Sequence, residues 1–218
     1  MKCISLVCTV HEENGLANVS GLYAILERIQ PEVIFIEALP DALDQFLAAC
    51  TNNKLESAAV RRYRENSIVE LVPVDLPTPK SRFFSDYRYL QEMIEGKSPA
   101  SRRLIMWNKN YVRDHGFAYL NSEHCSKMWT EIYADERAVI VKIKDQRLTE
   151  ISEIWNKTIE LRENEMMKNI LKYCDENSFE RGVFLIGAAH RQSIIEKTKE
   201  WSEKYPNLIQ WDFTCGKN

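Results

Sequence analysis

Four short apolar runs, each closing on an ionisable residue, constrain what this chain can become. "LVCTV" precedes His11, "VIFI" precedes Glu37, "LVPV" precedes Asp75, and "VFLIGAA" precedes His190. Runs of this length, rich in Val, Ile and Leu, read as strands buried on both faces. Helical patterns separate them. Val19, Leu22, Tyr23, Leu26 and Ile29 follow the 3.6-residue period, and Pro31 ends that helix. A second helix starts at Pro40, with Asp41 as its N-cap and Leu43, Phe46, Leu47 and Cys50 on its buried side. A charged helix covers about 54–65. After His190 the sequence predicts a helix over 190–204 and, past Pro206, a last strand in "LIQWDF". Strands alternating with helices at this spacing build βαβ units. The expected fold is therefore α/β, with a mostly parallel central sheet flanked by helices.

Between 76 and 178 the strand signal fades and amphipathic helical patterns take over, so this stretch reads as a helical insertion or cap. "AVIVKIK" (138–144) has strand-like composition but is assigned to helix. The whole chain, 1–218, fits a single α/β domain carrying that insertion. A hydrophobic content of 44% supports a real core, and a net charge of -3 gives no electrostatic reason for a nucleic-acid partner. No apolar run approaches the roughly 20 residues that span a bilayer, so no membrane partner is expected. The N-terminal "MKCISLVCTVHEENG" reaches His11, Glu12 and Glu13 too early for a secretory leader and reads as a first strand. The six cysteines form no C-x-x-C pair, which points to reduced thiols and a cytoplasmic chain. Oligomeric state is not set by any of these features.

In open parallel sheets the carboxyl ends of the strands share one edge, and ligands bind in the crevice there. Parallel pairing would thus gather His11, Glu37, Asp75 and His190 in one place. Two imidazoles and two carboxylates supply general acid, general base and ligands for a divalent metal. Taken singly, each has a plainer explanation, because strands end at the surface and charged residues follow them. Gly187, Ala188 and Ala189 allow a tight turn and close approach before His190, which would open the next helix with its free N–H groups. A fifth candidate lies on the helix predicted at 150–175, where Trp155, Ile159, Arg162, Met166, Ile170 and Tyr173 form one stripe. A guanidinium in the middle of an apolar stripe needs an anion. A ligand, a structural carboxylate or snorkelling from the stripe's edge would each satisfy it. His124 and Cys125 are adjacent on a helix that Asn121 or Ser122 caps, so they point different ways. "RRYR" (61–64) and "SRR" (101–103) read as solvated helix faces, and His115 as a loop residue.

"CTVH" (8–11), "PEVIFIE" (31–37), "RENEM" (162–166) and "GAAH" (187–190) together resemble the TraB/Tiki/erythromycin esterase-like superfamily, with its GumN- and ChaN-like relatives. That family carries G-x-x-H after a first strand, P-D-hydrophobic-E on a second, Arg four positions before Met on a helix, and a second G-x-x-H. Cys8 stands where the family usually has Gly, and Glu163 where Asn or Asp is usual; residues 80–150 match no motif. The resemblance implies a hydrolase of esters or peptides that activates water with a His/Glu site. His11, Glu37 and His190 would be catalytic, and would hold any divalent metal. Arg162 and Gly187, with Asp75 from the strand-end pattern rather than from a motif, would bind the substrate. A different class remains open beside it: a non-catalytic protein using the same pocket for a small ligand or haem, with His11 and His190 as axial ligands.

Overall fold

The computed structural model describes residues 1–48, 54–78, 81–214 and 216. Strands β1 (Lys2–Thr9), β2 (Val33–Ile36), β3 (Glu70–Pro73), β4 (Arg181–Gly187) and β5 (Ile209–Asp212) form one sheet in the order β3-β2-β4-β1-β5. Every pairing is parallel. The α/β architecture read from the alternating pattern is the one observed. Central strands β1, β2 and β4 are buried on both faces, which is why their sequences run apolar without alternation. Pro73 sits at the end of edge strand β3, where a missing N–H interrupts no ladder.

The helices are α1 (Val19–Ile29), α2 (Leu43–Leu47), α3 (Leu55–Arg64), α4 (Phe83–Lys97), α5 (Pro99–Leu120), α6 (Glu123–Ile143), α7 (Gln146–Glu176) and α8 (Arg191–Lys204). Asn18 caps α1 through its side chain, and Gln30 closes it in the left-handed region just before Pro31. One local expectation is corrected. Asp41 is not an N-cap: Pro40, with its fixed φ, starts a short 3₁₀ turn, Pro40–Ala42, one residue earlier, and Leu39 takes the cap position. Cys50, expected on the buried side of α2, lies outside the described residues.

Helices α4 to α7 occupy the stretch between β3 and β4, and "AVIVK" is helical within α6. A second core forms there, from Tyr87, Leu90, Ile94, Val139, Ile140, Leu148 and Ile151, with Trp155 packed against it. Trp155 stacks on Tyr87 and Phe83. Helix α7 enters both cores: Leu148 and Ile151 belong to this one, Met166, Met167 and Ile170 to the core around the sheet. Helix α5 kinks at Gly116 (φ +53°), where a Cβ would come within 2.6 Å of the Leu16 carbonyl oxygen. His115, read as a loop residue, therefore lies inside a helix beside its kink. The close approach and a hydrogen bond from Leu16 N to Arg113 O (2.9 Å) fix the loop after β1 against α5.

Strand β5 pairs with β1 only as far as Ser5. Beyond it the alternating backbone groups of β1 would face nothing on that side. Asn121, 1% exposed, fills the gap. Its side chain accepts from Cys8 N (2.7 Å) and donates to Cys8 O (3.2 Å) and Phe117 O (3.0 Å), much as a neighbouring strand would. Asn121→Ala should cost about 1–3 kcal/mol, because it strands a buried amide and carbonyl of β1; urea unfolding measures the loss.

Candidate active site

The parallel sheet brings all four strand-end residues to one edge, and α7 delivers Arg162 to the same place. Arg162 is 6% exposed and joins two of them. Its Nε and Nη2 donate to the two Asp75 carboxylate oxygens at 2.9 and 2.6 Å, and Nη2 also donates to Glu37 Oε1 at 2.8 Å. Of the alternatives for a guanidinium on an apolar stripe, carboxylate pairing is the one observed. Leu76 N and Arg162 share Asp75 Oδ1. The Gly187 amide donates to Glu37 Oε2 (3.2 Å), so this N–H is spent on positioning Glu37. A Cβ at Gly187 would meet Glu37 and His190 only at ordinary contact distance, 3.6 Å, so the turn does not depend on an absent side chain there.

His190 takes the N-cap position of α8, and its side chain turns toward α7. Nδ1 pairs with Glu163 Oε1 at 2.7 Å, and Nε2 lies 3.7 Å from Glu37 Oε1. Glu163 also accepts from the Ser193 hydroxyl (2.5 Å). The result is a buried relay: Asp75, Arg162, Glu37, His190, Glu163. Its protonation follows from its geometry. Burial works against a charged His190, but the Glu163 hydrogen bond and the charge of Glu37 outweigh it and raise the pKa. Burial would raise Glu37 as well, yet His190, Arg162 and the Gly187 amide together lower it. Glu37 is therefore held as a carboxylate.

These shifts have a sign for stability. The folded chain holds the His190 proton more tightly than an unfolded one, so its stabilisation is full below the ordinary value of 6.5 and is lost as pH rises through the elevated folded value. Glu37 acts oppositely: its contribution is present above the ordinary 4.5 and is lost as pH falls through the depressed value. Urea unfolding between roughly pH 6 and 9 should show an alkaline decline that Glu163→Gln flattens.

His11 stands apart from the relay, on a wall of the same recess. Its side chain is 56% exposed and its Nδ1 pairs with Glu56 Oε1 at 3.1 Å. Glu56, 8% exposed, also accepts from the Thr9 hydroxyl at 2.7 Å, while its Oε2 has no hydrogen-bond partner among the described residues. The Glu56 hydrogen bond is the main cause of a raised His11 pKa, with burial opposing and the charges of Glu56 and Glu37 assisting. His11, Glu37, Lys54 and Glu56 line a cavity of about 390 Å³, with Ile36, Phe46 and Leu185 among its apolar walls. That size and composition suit a small ligand.

The divalent-metal set expected on His11, Glu37 and His190 is not formed. No group of three His, Cys, Asp or Glu among the described residues is placed to hold an ion. The donors are already engaged: one nitrogen of each imidazole on a carboxylate, and both Glu37 oxygens on Arg162, His190 and Gly187. Sequence reasoning missed Glu56 as the partner of His11. The signal existed, since Glu56 shares the buried stripe of α3 with Val60 and Tyr63, the same anomaly that singled out Arg162. Glu163 drew notice only as a departure from a motif. Cys3, Cys8, Cys125 and Cys174 are free thiols, and Ser122 is the cap of α6. No described helix is long and apolar enough to cross a membrane. No family model, curated protein or solved structure matches the chain.

Proposed function

We propose that the chain is a hydrolase of esters or peptides in which His11 is the general base. The observation that carries this reading is the Glu56–His11 pair on the wall of the cavity at the strand ends. A carboxylate on Nδ1 fixes the tautomer and leaves Nε2 as the basic nitrogen, free to take a proton from water. Glu37 is the poorer base, since hydrogen bonds from Arg162 and the Gly187 amide and the charge of His190 hold it ionised. Its part, with Arg162 and His190, is to keep a fixed field beside the reacting group. Glu56 is a positioning residue. The resemblance to the TraB/Tiki/erythromycin esterase-like superfamily supports the reading, because its motif residues His11, Glu37, Arg162 and His190 are those gathered here. No step is routed through a metal, whose ligands these side chains do not supply.

The test is turnover of nitrophenyl esters and short peptides by the purified chain, with and without EDTA. Hydrolysis that survives EDTA and disappears in a folded His11→Asn variant is expected. Turnover unchanged in that variant, or abolished by EDTA, overturns the assignment. A Soret band on haemin addition without hydrolysis would move the site to ligand binding.

A further inference from the structure

His11 also lies on the wall of a second and larger cavity, and it is the one residue common to both walls among the described residues. This cavity measures about 860 Å³. It opens between the loop after β1 and helices α4, α5 and α6, with Ile94, Ile105, Trp129 and Ile132 supplying apolar surface. The gap is not a loose seam, because Gly116 and the Leu16–Arg113 hydrogen bond pin the loop to α5 beside it.

We propose that the substrate is bipartite, with its scissile bond at His11, a small group in the recess at the strand ends and a large apolar group under α4–α6. The proposal rests on the hydrolase reading and deepens it. A general base at the junction of two chambers of unequal size directs the water it deprotonates at the bond that joins two groups of unequal size. Charge narrows the class further. Glu12, Glu13, Glu95 and Glu136 line the larger chamber against Lys109 and Arg113. Glu136 is 7% exposed and accepts from the Tyr87 hydroxyl at 3.1 Å. Four carboxylates against two cations disfavour an anionic tail, and the apolar surface of Ile94, Ile105, Trp129 and Ile132 suits an uncharged one, as in a neutral ester of a long or bulky apolar moiety.

Two series of neutral esters test this, one lengthened on the acyl side and one on the alcohol side. Lengthening on one side should lower KM about two- to fourfold per methylene, whereas lengthening on the other should abolish turnover. Ile105→Trp and Ile132→Trp, on different helices, should each collapse the long-to-short preference by filling the chamber. A terminal carboxylate on the long side should do the same. Equal tolerance on both sides, or no dependence on length, overturns the proposal. Binding of the neutral fluorophore N-phenyl-1-naphthylamine separates the two readings. Dye bound by the wild type and lost in both Trp variants, with no ester hydrolysed, leaves the chamber assigned and removes the hydrolase. Dye not bound by the wild type removes the chamber.

Discussion

Replacing Arg162 with leucine should destabilise the chain by about 3–5 kcal/mol, because it breaks a buried ion pair from one side only. Leucine fits the apolar stripe, so packing is not the main loss. The loss is that Asp75 and Glu37, with side chains 8% and 14% exposed, would face each other with their cation gone. Against a total stability of roughly 5–15 kcal/mol this is a large share. For a chain of this size it corresponds to a melting temperature lower by about 6–20 °C. The triple variant Arg162→Leu/Glu37→Gln/Asp75→Asn should recover part of it, since neutral amides cost less to bury than unpaired carboxylates. A single variant that melts with the wild type would mean that solvent already screens the cluster. Calorimetry of the three proteins decides this.

Loss of His11 should lower kcat/KM by about 10²–10⁴-fold on any ester the chain hydrolyses, the usual yield of a positioned base. The pH profile is the sharper measurement. A base works deprotonated, so the rate rises as pH climbs through its pKa. Glu56, Glu37 and Lys54 are the charged groups acting on His11, and the first of them dominates in raising it. The rising limb should therefore lie above the ordinary imidazole range. Glu56→Gln keeps an acceptor for Nδ1 but removes the charge, so the limb should move to lower pH and the rate should fall. A limb that does not move in Glu56→Gln would place the titrating base elsewhere.

The outline of this site was legible in the sequence for a specific physical reason. Parallel pairing sends the carboxyl ends of strands to one edge, so residues as distant as Glu37 and His190 are neighbours once the βαβ pattern is recognised. Arg162 was legible because a cation cannot sit unpaired on an apolar stripe. What escaped was pairwise. Nothing in the spacing says which carboxylate meets which imidazole, so the Glu163 partner of His190 Nδ1 was not legible. Residue types likewise reveal donors for a metal but not whether those donors are already engaged. Asn121 escaped for another reason: it acts as the end of a strand ladder, a function of where β5 stops, and that boundary is set by tertiary contacts.

Helix α7 runs for 31 residues with neither glycine nor proline, about 46 Å of unbroken rod. Its first turns pack with α4 and α6 in the second core, and its middle holds Arg162 and Glu163 against Asp75, Glu37 and His190. A lever of this kind has no joint at which to absorb a displacement. A displacement of its first turns would be carried along the same rod to the guanidinium, so the packing of the second core and the aim of Arg162 are set by one rigid piece.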